Sequence, residues 1–131
     1  MTNLVALFTD FGPSDPYVAQ LKGSIKTIAP SAELLDLSHS NAVFDISAAS
    51  YLLSKSTRTL PPGSIIIAVV DPGVGSGRAG LAVRTQAGRI YLAPDNGILT
   101  EVLAREGLAD ARTLPIATES ISSTFHARDL F

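Results

Sequence analysis

At 131 residues, 46% of them hydrophobic and 17% charged, the chain suits one modest globular domain that buries about two-thirds of its unfolded surface, rather than a disordered segment. A formal net charge of −2 gives no electrostatic reason to expect nucleic acid or an anionic membrane as partner, and the lack of cysteine excludes disulfides and thiolate metal sites. No apolar stretch approaches membrane-spanning length and Met1-Thr2-Asn3-Leu4 carries no basic n-region, so a cytoplasmic protein is the default expectation.

Leu4 to Phe8 is a short apolar run that predicts a buried strand, ending at Thr9-Asp10-Phe11-Gly12. Tyr17, Val18, Leu21, Ile25 and Ile28 then follow helical spacing, with Asp15 and Pro16 placed as cap and first-turn residue and Ala29-Pro30 as the stop. Glu33 to Leu37 predicts a second strand, closed by Ser38-His39-Ser40-Asn41. A second helix is expected over Phe44 to Leu53, with Asp45 near its start, before Pro61-Pro62-Gly63 interrupts the chain. Ile65-Ile66-Ile67-Ala68-Val69-Val70 reads as a strand buried on both faces, and it runs straight into the glycine-rich loop Asp71-Pro72-Gly73-Val74-Gly75-Ser76-Gly77-Arg78. Leu81-Ala82-Val83 and Ile90-Tyr91-Leu92 flank Gln86-Ala87-Gly88-Arg89 as a hairpin, and Asp95-Asn96-Gly97 reads as a turn with a helix cap ahead of Ile98, Leu99, Val102 and Leu103. Thr124 to Phe131 looks like the opening of a further helix, so the 131 residues read as a fragment.

Strand, helix, strand, helix, strand is the order of a doubly wound α/β fold: a Rossmann-like, mostly parallel sheet flanked by helices, here with an inserted hairpin. In such a sheet the polar loops after the first three strands share one edge, so Asp10, His39 and Asp71 are expected to converge there.

Asp71, Arg78 and His126 are the first candidates for chemistry. A carboxylate, a guanidinium and an imidazole around one water can orient it, favour hydroxide and accept its proton. Composition and spacing alone favour the plainer reading of a turn cap, a solvated loop residue and a helix-cap histidine. Asp10 and Asp15 flank the loop between first strand and first helix, where a carboxylate can accept the hydroxyls of a ribose, although Asp15 also reads as a helix N-cap. The loop at 73–77 lacks the Gly-Lys-Ser/Thr ending of a P-loop and leads into a strand rather than a helix, which sets phosphate binding aside. His39 and His126 could join Asp10 or Asp71 in a metal site, but their spacing is not that of ligands, and His39 also reads as a polar loop histidine. No serine sits in a nucleophile elbow, and Phe44 reads as core.

In order along the chain, Thr9-Asp10-Phe11-Gly12 with Asp15-Pro16-Tyr17-Val18 and Lys22-Gly23, Asp36-Leu37-Ser38-His39, Val69 to Gly75 with Arg78, Asp95-Asn96-Gly97, and Thr124-Phe125-His126 together resemble the S-adenosyl-L-methionine hydroxide adenosyltransferases, relatives of the adenosyl-fluorinases and adenosyl-chlorinases. The resemblance implies hydrolysis of S-adenosylmethionine to adenosine and methionine, by water that Asp71, Arg78 and His126 activate for attack on the ribose 5′ carbon. The halogenase branch carries other residues at the aspartate and histidine positions. The ribose-binding aspartate matches Asp10, the following loop matches Asp15 and Tyr17, and Phe44 falls where relatives place an aromatic near the substrate. Neither metal nor organic cofactor is implied. Ala127 stands where the pattern has glycine. The family is longer, with a C-terminal β-barrel and a homotrimeric assembly whose site lies between one subunit's N-terminal domain and its neighbour's barrel. The 131 residues then form an incomplete N-terminal catalytic domain without the barrel. The alternatives are a non-catalytic module that binds nucleoside or S-adenosylmethionine, a halogenase using the same substrate, and a metal-dependent hydrolase built on Asp10, Asp71 and His126.

Overall fold

A computed structural model describes residues 4–12, 16–40, 45–70 and 80–114. Its elements, in chain order, are β1 (Leu4–Thr9), α1 (Pro16–Ile28), β2 (Glu33–Ser38), α2 (Ile46–Thr57), β3 (Ile65–Val69), β4 (Gly80–Thr85), β5 (Ile90–Pro94), α3 (Thr100–Glu106) and β6 (Leu108–Thr113). The strands form one sheet in the order β2-β1-β3-β5-β4-β6. β1 pairs in parallel with β2 and β3, β3 pairs in parallel with β5, and β4 runs antiparallel to both β5 and β6. The expected α/β class and the inserted hairpin are therefore both present.

The middle of the sheet follows from the two-residue alternation of side chains along a strand. In β1 and β3, Val5, Leu7, Ile67 and Val69 pack on Leu21 of α1, whereas Ala6, Phe8, Ile66, Ala68 and Val70 pack with Ala49 and Leu53 of α2 and Val102 of α3. A strand covered on both faces has no polar position to spare, which is why β3 reads as an uninterrupted aliphatic run. Burying each of the valine, leucine, isoleucine and phenylalanine side chains among them contributes about 1.5–3 kcal/mol relative to leaving it in water. At the head of α2, Asp45 takes the cap position and accepts a hydrogen bond from Ser47 N at 2.9 Å. The helix accordingly starts at Ile46 rather than Phe44, and it continues four residues beyond Leu53. β6 was not expected: Leu-Ala-Asp-Ala-Arg-Thr has weak strand character, and the segment is organised by its register with β4, from Leu81 opposite Thr113 to Thr85 opposite Leu108.

α2 and α3 run back along the sheet, so their C-terminal ends meet at the edge where the parallel strands begin. A cluster of buried charge sits there. Glu106, with its side chain 2% exposed, accepts from the Tyr91 hydroxyl at 2.9 Å and the Thr85 hydroxyl at 2.8 Å, and it pairs with Arg105 at 2.7 Å and Arg89 at 3.1 Å. Arg89 also donates to the Leu60 and Arg58 carbonyls, and Arg105 to Ser54 and Thr57. No buried side-chain nitrogen or oxygen among the described residues lacks a partner. Burial, reinforced by the Glu106 carboxylate, pushes the Tyr91 phenol up to about 12.

Candidate active site

β1 leads through α1 to β2 on one side, and β3 leads on to the opposite half of the sheet. The chain thus departs in opposite directions from the C-terminal ends of two adjacent strands, the place where open α/β sheets hold their ligands. β1 and β3 stay in register to Thr9 opposite Val69, and Asp10 N then donates to Val69 O at 3.3 Å, so the pairing outlasts β1 by one residue. Gly12, at φ +92°, makes the turn that takes the chain off the sheet, a conformation an L side chain rarely adopts. Val70 is held from the other flank, where Asn96 Nδ2 donates to its carbonyl at 2.9 Å. Backbone and side-chain bonds on two sides therefore hold Val69 and Val70, the last described residues before Asp71.

Asp10, half-buried, opens the loop after β1. Beside it Phe11 meets Tyr17, in the first turn of α1, edge to face, with ring centres 6.4 Å apart and planes at 80°. Both rings lean on the aliphatic cluster under α1, so this site residue is fixed by packing. Asp10 and Tyr17 thus stand at the same rim. Asp15, Phe44, Asp71, Arg78 and His126 lie outside the described residues.

His39 does reach the rim, but both of its ring nitrogens are engaged within the protein. Nδ1 lies 2.6 Å from Thr9 Oγ1 and Nε2 lies 2.7 Å from Asp36 Oδ1, while Asp36 Oδ2 accepts from Lys22 Nζ at 2.7 Å. Partial burial raises the Asp36 carboxyl, but the hydrogen bonds from Lys22 and His39 outweigh it and hold the group below the usual aspartate value. Thr9 Oγ1 also accepts from Phe11 N at 3.3 Å. No group of three or more metal-binding side chains is found among the described residues.

Two features of the rim have no local signal in the sequence that fixes them. Asn96 does not cap the helix after it: α3 starts at Thr100 behind Leu99, with no side-chain cap bond. Instead Asn96 Oδ1 accepts from Ile98 N at 3.1 Å, leaving Nδ2 for Val70. An Asn-Gly pair after a strand can use both ends of its amide, but the acceptor lies 26 residues away. Next to Asn96 a hollow of about 260 Å³ opens between α2 and α3, lined by Ser47, Ser50, Gly97, Thr100 and Glu101 among others.

Comparison with known proteins follows the same segments. The family profile of the SAM hydroxide adenosyltransferase N-terminal domain matches residues 5–131. The chain is 35% identical over 133 residues to an (R)-S-adenosyl-L-methionine hydrolase of Methanocaldococcus jannaschii, covering 98% of this chain and 50% of that protein. It is 36% identical over 138 residues to an enzyme of the same name from Thermus thermophilus, covering 97% and 53%. A fluorinase of an Actinoplanes species is more distant, 24% identical over 155 residues and covering 97% and 51%. The crystal structure of an uncharacterized conserved protein from Thermotoga maritima superposes with a TM-score of 0.88 at 36% identity, covering 97% of this chain and 51% of that one. The chain spans about half the length of the relatives it matches.

Proposed function

The chain belongs to the SAM hydroxide adenosyltransferase family, and from that premise we propose that it is the nucleophile-activating part of an S-adenosyl-L-methionine hydrolase. Water attacks the ribose 5′ carbon in line with the sulfonium, the carbon–sulfur bond breaks, and its electron pair stays on sulfur. Methionine departs as a neutral thioether that needs no general acid, and adenosine keeps the new oxygen. One proton leaves the attacking water, accepted by the Asp71 carboxylate or the His126 imidazole, and Arg78 lowers the proton affinity of the oxygen. Asp10 accepts the two ribose hydroxyls, with Asp15, Tyr17 and Phe44 closing around the nucleoside. Charge is neutralised as hydroxide meets sulfonium, so a dry pocket that positions both favours the transition state. No cofactor takes part. The proposal includes a cytoplasmic location and a homotrimer in which a neighbour's C-terminal domain completes the pocket.

The observation that carries this reading is the backbone bond from Asp10 N to Val69 O. It holds the candidate ribose carboxylate beside the strand that runs into Asp71, at the reversal point of the sheet. Support also comes from the hydrolase relatives being closer in identity than the fluorinases.

The test uses protein expressed from the complete reading frame, given S-adenosylmethionine as each sulfonium epimer, because the close relatives are named for the (R) form. Adenosine release from the (R) epimer is expected, unaffected by chelators. Formation of 5′-halo-adenosine with chloride or fluoride in place of adenosine identifies a halogenase. Adenosine binding without turnover identifies a binding module, and inhibition by chelators restores the metal-dependent alternative.

A further inference from the structure

The chain Lys22–Asp36–His39–Thr9 spans three elements, and its geometry depends on an irregularity in β2. Along a regular strand, residues three apart face opposite sides, so Asp36 and His39 should not meet. The register between β1 and β2 passes from Leu7 opposite Asp36 to Phe8 opposite Ser38, leaving Leu37 as one extra residue on β2. That single insertion reverses the phase of everything after it, the use to which bulges near active sites are put. Asp36 and His39 consequently stand on the same face, 2.7 Å apart, and the imidazole lies over Thr9 with its side chain 9% exposed.

Roles along the chain follow from donor and acceptor chemistry. A carboxylate only accepts, so in the 2.7 Å contact between His39 Nε2 and Asp36 Oδ1 the proton belongs to Nε2. In the neutral ring this leaves Nδ1 as the acceptor of the Thr9 hydroxyl proton. Thr9 Oγ1 is then turned so that a lone pair meets Phe11 N–H. Thr9 and Phe11 are the two neighbours of Asp10, whose own amide is spent on Val69. The Lys22–Asp36 pair is half-exposed and adds little stability; its effect is to orient Asp36.

We propose that His39 is a positioning residue for nucleoside binding: oriented by Asp36 through the β2 bulge, it locks the Thr9 hydroxyl and thereby the backbone turn that presents Asp10 to the ribose diol. This rests on the ribose role assigned to Asp10 under the proposed function. His39 touches no reacting atom, and its influence is on binding.

The test measures adenosine affinity by calorimetry and KM and kcat for S-adenosylmethionine in the protein from the complete reading frame. His39→Ala is expected to weaken adenosine binding and raise KM about tenfold, with kcat changed less than about threefold. His39→Asn, which can still accept from Thr9, should recover part of the loss. Thr9→Val, which keeps the buried shape, should reproduce the His39→Ala defect even if the alanine variant folds poorly. Unchanged affinity and KM in both His39→Ala and Thr9→Val, in a protein that hydrolyses S-adenosylmethionine, overturns the positioning role alone. A fall in kcat with KM untouched also overturns it, because the group would then act on the chemical step. Weakened adenosine binding in a protein that releases no adenosine from S-adenosylmethionine overturns the hydrolase reading and supports the positioning role. A protein that neither binds adenosine nor hydrolyses the substrate overturns both.

Discussion

The two ends of the sheet use the same kinds of side chain for opposite purposes. At the edge where the parallel strands begin, Glu106 is buried between two arginines, a tyrosine and a threonine, and its charge is answered wholly inside the protein. At the rim where they end, Asp10 stays half-exposed and Asp36 remains open to water at 45%, with neighbours that aim them rather than enclose them. Burial decides which role a carboxylate can take. An enclosed charge must be neutralised by the fold and serves to lock helix ends to the sheet. One left at the surface keeps contact with water and is held by a few oriented neighbours, as Lys22 and His39 hold Asp36.

Substitutions at the two ends should therefore fail in different ways. The largest effect is expected for the catalytic groups proposed above: Asp71→Ala or His126→Ala in the complete protein should lower turnover by about 10²–10⁴-fold while KM shifts little; comparable losses in both constants would contradict the proposed roles. Glu106→Ala at the other end should remove about 3–5 kcal/mol of stability by stranding Arg89 and Arg105 without a counter-charge, read by urea unfolding, and should leave KM of the folded fraction unchanged. Asp10→Ala reverses that pattern, with substrate affinity down by about 10- to 100-fold and unfolding midpoint nearly unmoved. The smallest effect is one of pH. The Tyr91 phenol is raised from 10.0 to about 12 in the folded chain, so its contribution is complete below pH 10 and is lost as pH climbs through the folded value. That loss is on the order of 2 kcal/mol, and Tyr91→Phe should abolish this alkaline slope in a pH series of unfolding curves. If the slope persists in that variant, another group titrates in the cluster.

Much of the site's frame was legible because its signals are local. Pro16 at the first helical position, Asp45 at a cap and the unbroken aliphatic run of β3 each declare themselves within a few residues. Asp10 could be assigned to the rim from strand-then-helix order alone. His39 could be placed at that rim as well, but not its partners, because one extra residue in β2 changes which face it serves and nothing in Leu-Asp-Leu-Ser announces a bulge. Asn96 was likewise read by its immediate neighbours, when its more consequential bond is to Val70. The polar cluster on Glu106 has no local signature, because Thr85, Arg89, Tyr91 and Arg105 reach it from β4, the hairpin turn, β5 and α3.

The amino-acid order by itself determined the types of the elements other than β6 and the two-sided burial of the central strand, since caps, breakers and hydrophobic period act over one or two turns of chain. Strand order, the recruitment of β6, the phase shift that turns His39 onto Thr9 and the burial of Glu106 were decided only by tertiary packing. They depend on which distant segments come to lie side by side, and a residue's surroundings are unknown until its neighbours in space have been chosen.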